Sequence, residues 1–169
     1  RAVKKSGAQV LRGGAFKPLT FPYRGKKYTE TREKGIDWLA KAKNTVGIPI
    51  ITEVMEEKFL PLVAEVADII QIGSRNMQNY PFLTAVAKTG KPIMLKTHYG
   101  SSLRDWLGAA EYILYNGNPN WKIYVSTDSL KNENILKSNI INSDNNLILN
   151  SNYIGNIYND KFNRNTYAS

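Results

Sequence analysis

The sequence contains no cysteine and a single histidine among its 169 residues. Without cysteine, disulfides, thiolate nucleophiles and cysteine-ligated metals are excluded, and one histidine cannot build an all-histidine metal site. No run of about 18 apolar residues is present, and the first residues lack the apolar stretch of a signal peptide. We therefore expect a soluble, cytoplasmic protein in which carboxylates or another chain would have to supply any metal ligands.

The length and the charge narrow the class of protein further. A chain of 169 residues with 42% hydrophobic content suits one globular domain, whereas a closed eight-unit α/β barrel needs roughly 200 residues or more. The net charge of +9 is compatible with nucleic acid, an anionic membrane surface or small anionic substrates. Lysine and arginine are scattered and no basic run is interleaved with aromatics, which favours a phosphate-bearing metabolite over nucleic acid or membrane.

A repeated pattern of helix, glycine and short β-branched run predicts the fold. Strands are predicted near residues 8–12, 48–52, 68–72, 91–96 and 121–125, and apolar residues recur at helical spacing between them. Gly47, Gly90 and Gly117 each suit the left-handed residue that ends a helix. Ser102 followed by Asp105 is typical of a helix N-terminal cap. The sequence therefore predicts an α/β fold with a parallel sheet buried on both faces.

The composition changes after about Leu130. Twelve of the last 39 residues are asparagine and none is proline, while isoleucine, leucine and tyrosine follow no sustained period. A weakly ordered tail over residues 131–169 is the preferred interpretation, and irregular short strands are the alternative because the content of isoleucine and leucine is high for disorder. The chain is thereby divided into an α/β domain, 1–130, and an asparagine-rich tail.

Residues that follow the predicted strands form the candidate site, because the carboxyl ends of parallel strands converge on one rim where ligands bind. In strand order they are Arg12, Gly13, Gly14 and Lys17, then Glu53, then Gly73, Ser74, Arg75 and Asn76, then Lys96 and His98. Four cations on one rim would repel one another unless an anion lay between them. The rim therefore predicts a ligand with at least two negative charges.

Each residue also has an ordinary structural explanation. Arg75 could neutralise a nearby carboxylate, and Lys96 could simply be solvated. Glu53 could favour the N-terminus of the next helix, and His98 could face solvent, although its titration range suits a proton carrier. The hypothesis of a site therefore depends on the joint placement of these residues.

Four segments, in the same order, resemble motifs of the 3-deoxy-D-arabino-heptulosonate 7-phosphate (DAHP) synthases. They are LRGGAFKP at 11–18, TEVM at 52–55, QIGSRNMQNY at 71–80 and GKPIMLK at 90–96. The resemblance covers about residues 1–120. It implies a transferase of the (β/α) TIM-barrel type, also called phospho-2-dehydro-3-deoxyheptonate aldolase. Such an enzyme condenses phosphoenolpyruvate with an aldose phosphate such as erythrose 4-phosphate, with a divalent metal such as manganese, as the first step of the shikimate pathway to aromatic amino acids.

The resemblance also implies roles for individual residues. Arg12 and Lys17 would face the phosphoenolpyruvate carboxylate and the reacting centre, with Lys17 as the catalytic residue. Arg75 and Lys96 would bind the phosphate, and the backbone of Gly73 and Ser74 would line the same pocket. Glu53 and His98 are further candidates. These roles suit the chemistry, because guanidinium groups match carboxylate and phosphate while lysine supplies a mobile charge.

Three departures from the family pattern qualify this expectation. Leu19 replaces an arginine expected to bind the acceptor phosphate, Thr97 replaces another arginine, and Tyr124–Asp128 replaces a further phosphate-binding motif. No metal ligands are found in this chain. With about five of eight barrel units, we expect either a synthase or inactive synthase fragment, or a non-catalytic phosphometabolite-binding or interaction module. Open barrel edges favour a homo-oligomer or other association.

Overall fold

The computed structural model describes residues 1–17, 30–98, 100–117, 123–126 and 146–149, the last two segments by their backbone. The helices in these residues are α1 (Ala2–Lys5), α2 (Arg32–Val46), α3 (Leu60–Val66), α4 (Tyr80–Ala87) and α5 (Leu103–Asn116). The strands are β1 (Leu11–Arg12), β2 (Ile50–Glu53), β3 (Ile69–Ile72), β4 (Ile93–Leu95), β5 (Ile123–Ser126) and β6 (Asn146–Leu149). Short 3₁₀ turns at Glu57–Phe59 and Ser74–Asn76 follow β2 and β3.

The strands form one sheet in the order of the chain. β1 to β5 pair in parallel, each with the next, and helices lie between β1 and β2 and along the connections up to β5. The predicted α/β class, the parallel sheet and the approximate positions of its five strands are therefore confirmed. All four residues of β2 are buried, as expected of a parallel strand covered on both faces.

Turn and cap residues explain where several helices start and stop. Gly47 ends α2 in the left-handed conformation, with φ 63° and ψ 40°, and Gly90 has φ 72° in the turn before β4. Gly117 instead follows α5 in an extended conformation with φ −117°, so the left-handed prediction is wrong there. The Ser102–Asp105 cap is confirmed as a reciprocal capping box at the start of α5.

Alternate residues of the strands separate an apolar face from a polar one. Ile70, Ile72, Ile93 and Leu95 join one buried cluster with helix residues such as Leu83 and Trp106. The residues between them in sequence point to the other face, where Glu53 of β2 lies opposite Gln71 of β3 and Gln71 lies opposite Met94 of β4. The helix layer therefore covers one face of the sheet, and the opposite face carries polar side chains toward the carboxyl ends of the strands.

A separate ionic contact stabilises the amino ends of the strands. Lys43 Nζ lies 2.8 Å from Asp68 Oδ1 and donates to the carbonyl of Val66 at 3.0 Å, while Asp68 Oδ2 accepts from the backbone of Ile50 at 2.9 Å. Burial alone would raise the pKa of Asp68, but the hydrogen bonds from Lys43 and Ile50 lower it overall. This contact ties α2 to the start of β2 and β3, at the end of the sheet away from the candidate rim.

In the asparagine-rich segment the structure describes β6 alone. β6 pairs antiparallel with β5, with Tyr124 opposite Ile148. The sequence left weak order and short strands as alternatives for residues 131–169, and these four residues form a strand; the rest of the segment lies outside the described residues. Among all the residues that the structure describes, no helix has the length and apolar character needed to cross a membrane.

Candidate anion-binding site

A small cavity opens where β2, β3 and β4 end. It encloses about 90 Å³ and is lined by Glu53, Met55, Gly73, Ser74, Arg75, Asn76 and Lys96. That volume corresponds to roughly three water molecules, which suits a phosphoryl group better than a whole metabolite. The structure thus brings together six of the residues that the sequence placed on the rim: Glu53, Gly73, Ser74, Arg75, Asn76 and Lys96.

A larger groove lies elsewhere, between α3 and α4. It encloses about 530 Å³ and is lined by Leu60, Pro61, Ala64, Ala85, Lys88 and other residues. Its lining includes no converging set of cations, and it lies on the outer helix layer rather than at the strand ends. We therefore place the candidate site in the smaller cavity, where charge and strand geometry coincide.

Glu53 is the buried carboxylate of this cavity. It is 9% exposed, and its Oε2 accepts a hydrogen bond from Gln71 Nε2 at 2.9 Å. Burial raises the pKa of Glu53 above its ordinary value, although Arg12, Lys96, Arg75 and the hydrogen bond from Gln71 act in the opposite direction. The cavity therefore holds one carboxyl group whose pKa lies above that of an ordinary glutamate, although three cations lie within electrostatic reach.

These three cations lack a close carboxylate partner in the described part of the chain. The ion pairs formed there involve Lys43, Lys58, Arg32 and their partners, and none involves Arg12, Arg75 or Lys96. All three act to lower the pKa of Glu53. Excess positive charge around a small cavity with a single carboxylate is an arrangement that favours a bound anion of two or more charges.

Gly73 permits this packing because it has no side chain. A Cβ at this position would collide with Oε1 of Glu53, although the backbone, with φ −68°, would accept any residue. The carboxylate therefore occupies the space beside the backbone of Gly73. The requirement for glycine here is one of close approach rather than of backbone conformation.

Arg12 reaches the same network from the neighbouring strand. Backbone hydrogen bonds from Leu11 to the Pro49 carbonyl, 2.8 Å, and from Gly13 to the Ile51 carbonyl, 3.1 Å, hold β1 against β2. Arg12 Nε then donates to Gln71 Oε1 at 2.6 Å. A chain of contacts from Arg12 through Gln71 to Glu53 thus links three adjacent strands.

Lys17 and His98 lie outside the set that lines the cavity. The Lys17 side chain is exposed, and its Cε would lie 3.4 Å from a Cβ at Gly14. The imidazole of His98 is exposed, and its Nδ1 accepts a hydrogen bond from the backbone of Gly100 at 3.2 Å. Their proposed roles remain predictions, which rest on the family motif for Lys17 and on the position after a predicted strand for His98.

The structure describes the three departures from the family pattern to different extents. Thr97 is 7% exposed, and its hydroxyl forms no hydrogen bond within the described residues, so a short buried side chain stands where the family pattern has arginine. Leu19 lies outside the described residues. Backbone alone is described for Ile123–Ser126, which includes part of the replaced phosphate-binding motif.

Gln71 is the residue of this network that the sequence analysis did not single out. It is 1% exposed and is the one polar residue in the otherwise apolar strand Ile69–Ile72. This polar residue within an apolar strand was the feature of the sequence that could have indicated its role. A buried amide in an apolar parallel strand requires hydrogen-bonding partners, and its register opposite Glu53 identifies one of them.

The described residues do not offer a metal site. No group of three or more histidine, cysteine, aspartate or glutamate side chains in this part of the chain is placed to hold a metal ion. Glu53 is surrounded by cations rather than by further oxygen ligands, which disfavours a divalent cation at that point. No metal position is therefore assigned to these residues.

The fold and the cavity define a parallel (β/α) protein with a group of cationic side chains at the carboxyl ends of its strands. The family model of the "DAHP synthetase I family" matches residues 1–165. The chain belongs to this family. The match extends into the asparagine-rich segment, beyond the motifs that the sequence analysis used.

Individual relatives agree with this assignment. A phospho-2-dehydro-3-deoxyheptonate aldolase from Thermotoga maritima is 44% identical over 112 residues, which are 66% of this chain and 32% of the relative. A 2-dehydro-3-deoxyphosphooctonate aldolase from Francisella tularensis subsp. holarctica is 38% identical over 74 residues, 44% of this chain and 26% of that protein. The chain thus spans about a third or less of the length of these relatives.

Solved structures show the same similarity. The crystal structure of the Thermotoga maritima DAHP synthase superimposes with a TM-score of 0.63 at 38% identity, covering 72% of this chain and 34% of that one. A truncated form of the Thermotoga enzyme gives a TM-score of 0.59 at 40% identity, covering 69% and 40%. The observed parallel sheet is therefore similar to part of a DAHP synthase.

Proposed function

We propose that this chain forms the phosphoenolpyruvate-binding part of a DAHP synthase, an aldol-type transferase that joins phosphoenolpyruvate to an aldose phosphate such as erythrose 4-phosphate. The observation that carries the proposal is the cavity at the ends of β2, β3 and β4, in which Arg75 and Lys96 meet the backbone of Gly73 and Ser74. Membership of the family supplies the reaction class. The reaction would open the shikimate pathway.

The proposed binding mode divides the ligand between two groups of residues. Arg75 and Lys96 would bind the phosphate, and Arg12 would bind the carboxylate through its guanidinium group, which matches a carboxylate in shape and charge. Lys17 would approach the reacting centre from the loop after β1. Phosphoenolpyruvate carries one carboxylate and a phosphate of about −1.5 to −2 at neutral pH, and Arg12, Arg75 and Lys96 together supply a matching charge.

The metal requirement is part of the proposal. The family is generally metal-dependent, and we propose a divalent ion such as manganese, which would polarise the reacting carbonyl as a Lewis acid. The described residues hold no cluster suited to it. The step that we propose for the described residues is therefore the binding and orientation of phosphoenolpyruvate.

Substitution of Arg75 tests the binding mode. Arg75→Met should weaken phosphoenolpyruvate binding by roughly ten- to a hundredfold, because charge-assisted hydrogen bonds contribute about 1.5 to 3 kcal/mol. Isothermal titration calorimetry measures the effect. The matched control is Lys88→Met, which removes a charge from the outer groove between α3 and α4 and should leave the affinity unchanged; equal losses in both variants would contradict a specific site.

Leu19→Arg tests the assignment of the acceptor. Leucine cannot supply the charge-assisted hydrogen bond of the arginine that the family pattern places there, so the unaltered chain should bind phosphoenolpyruvate measurably and erythrose 4-phosphate weakly or not at all. The substitution should improve only erythrose 4-phosphate binding, by roughly tenfold or more. Calorimetry with both ligands on both proteins decides it. Equal erythrose 4-phosphate affinity before and after the change would mean that position 19 is not at the acceptor site.

The second candidate function is a non-catalytic module that binds phosphorylated metabolites. The observation that favours it is Thr97, a buried threonine in place of a cationic residue of the family pattern, together with Leu19. The two candidates differ in turnover. Formation of heptulosonate phosphate from phosphoenolpyruvate and erythrose 4-phosphate with added manganese would support the enzyme, whereas phosphoenolpyruvate binding without product under the same conditions would support the module.

A further inference from the structure

Gln71 lies at the centre of the polar network beneath the candidate site. Its side chain is 1% exposed, and both ends of its amide are engaged. Oε1 accepts from Arg12 Nε at 2.6 Å, and Nε2 donates to Glu53 Oε2 at 2.9 Å. Strand pairing places Gln71 directly opposite Glu53, so that bond joins neighbouring strands, whereas the bond from Arg12 reaches from β1 across β2 to β3.

The two partners fix the orientation of the amide. The guanidinium of Arg12 can only donate, so it must face the amide oxygen. An ionised Glu53 can only accept, so it must face the amide nitrogen. A neutral side chain with a donor and an acceptor on one short planar group satisfies both partners, whereas leucine or methionine satisfies neither.

The bond to Nε determines which part of Arg12 remains for a ligand. A guanidinium group can bind a carboxylate through two parallel hydrogen bonds in either of two geometries. The side-on geometry uses Nε and one terminal nitrogen, and the end-on geometry uses both terminal nitrogens. In the described residues the terminal nitrogens of Arg12 form no hydrogen bond, while Nε is bonded to Gln71. The end-on pair is therefore the one that no described residue occupies.

Gln71 also keeps Arg12 apart from Glu53. Both groups bond to the same amide, yet among the described residues no ion pair within 4 Å joins them. A direct pair would neutralise the charge of Arg12, and the amide bridge leaves that charge available to a ligand.

We propose that Gln71 is a positioning residue: it holds Arg12 by Nε and separates it from Glu53, so that the end-on guanidinium pair binds the carboxylate of the ligand. This inference rests on the proposed function, in which Arg12 binds the carboxylate of phosphoenolpyruvate. It goes further by assigning the orientation of Arg12 to a buried amide that does not itself touch the ligand. It predicts a selective effect, because the phosphate is bound by other residues.

The first test compares two probes on Gln71→Met, which keeps the side-chain length and removes both hydrogen bonds. Phosphoenolpyruvate carries a carboxylate and inorganic phosphate does not. Calorimetry should show about tenfold weaker phosphoenolpyruvate binding, as expected for the loss of one well-oriented charge-assisted contact, with phosphate binding unchanged within about twofold. Gln78→Met, at an exposed glutamine of the same chain, is the matched control and should alter neither affinity.

The second test uses Gln71→Glu, which keeps the shape of the side chain. The introduced carboxylate, when ionised, still accepts from Arg12 but repels Glu53, whereas in its protonated form it donates to Glu53 as the amide does. The affinity of this variant relative to the unaltered chain should therefore recover as the pH falls from about 8 to about 5.5. Both proteins share Arg12 and Glu53, which bond to position 71, and Arg75 and Lys96, which act on Glu53. The ratio of the two affinities therefore isolates the substitution. Gln71→Met should show no such recovery.

The outcomes separate this inference from the function on which it rests. If the unaltered chain does not bind phosphoenolpyruvate, the proposed function is overturned, and this inference falls with it. If the unaltered chain binds but Gln71→Met weakens phosphoenolpyruvate and phosphate equally, or the relative affinity of Gln71→Glu is independent of pH, the positioning role alone is overturned. Should Gln71→Met fail to fold, the pH profile of the isosteric Gln71→Glu variant decides by itself.

Discussion

At the scale of single residues, Glu53 shows how burial and neighbouring charge compete. The side chain is 9% exposed and within the field of three cations, yet burial outweighs their combined effect and the pKa is raised. The neutral form is therefore favoured more in the folded protein than in the unfolded chain. An anion bound beside Glu53 would favour that neutral form further, because the carboxylate and the ligand carry charge of the same sign.

Glu53→Gln should remove a specific pH dependence of stability. Because the pKa of Glu53 is raised on folding, its contribution to the free energy of unfolding is fully present below the unfolded-state pKa and is lost as the pH rises through the folded-state pKa. Glutamine has no proton to lose in this pH range, so the variant should lack this decline. Urea denaturation of both proteins from about pH 4 to about pH 8 measures the difference.

The same variant provides a second measurement at the site. Removing one negative charge from the cavity should tighten the binding of inorganic phosphate at about pH 8 by roughly fivefold, about 1 kcal/mol. The advantage should shrink at lower pH as Glu53 of the unaltered chain takes up a proton. In the urea experiment, a difference in the free energy of unfolding between Glu53→Gln and the unaltered chain that stays constant across the pH range would show that Glu53 does not titrate with a raised pKa.

At the scale of secondary structure, α5 shows how a local sequence pattern fixes the start of a helix. Ser102 Oγ accepts from the backbone of Asp105 at 3.2 Å, and Asp105 Oδ2 accepts from the backbone of Ser102 at 2.9 Å. The hydrogen bonds from Ser102 lower the pKa of Asp105. The two residues alone satisfy backbone donors at the helix end, which is why the pattern was readable without tertiary context.

Ser102→Ala should lower the free energy of unfolding by about 1 kcal/mol, the usual cost of removing a serine N-cap. Urea denaturation near neutral pH, where Asp105 is ionised, measures the loss. Ser6→Ala is the control, because Ser6 lies in the exposed turn after α1 and should change stability by less than about 0.5 kcal/mol. Equal effects of the two substitutions would contradict a capping role.

At the scale of the whole molecule, the two sides of the sheet end differently. On one side β6 pairs with β5, whereas on the other side β1 pairs with β2 alone among the described strands. β1 has two residues, and Val10 beside it is 38% exposed. A strand edge that no described strand covers, next to an exposed apolar side chain, favours pairing with another chain.

We expect the protein to self-associate through the β1 edge, with an average mass above the 19.1 kDa of one chain that increases with concentration. Val10→Lys should reduce the association, because a lysine on an edge strand disfavours edge-to-edge pairing. Sedimentation equilibrium measures both. Val3→Lys is the matched control, since Val3 is an exposed valine, 52%, on α1; monomeric unaltered protein, or equal effects of the two lysines, would contradict the prediction.

The sequence by itself determined the features that depend on neighbours along the chain. Helix caps, the glycine after α2 and short apolar strands each arise from contacts over a few residues, so periodicity and composition predicted the α/β order of elements. The convergence of Glu53, Arg75 and Lys96 was also predictable, because parallel strands align their carboxyl ends. Gly117 is the exception among these three glycines: it follows α5 in an extended conformation, so the residue type alone did not determine its backbone conformation.

Tertiary structure alone decided which of the rim residues share one cavity and what connects them. Arg12 ends the first strand and Lys17 follows it closely, yet it is Arg12 that bonds to Gln71, and the sequence did not distinguish the two. The place of Gln71 between Arg12 and Glu53 depends on the register of three strands, which are separated by long stretches of chain. Hydrogen bonds across a sheet, and the burial that raises the pKa of Glu53, exist only after those strands have paired.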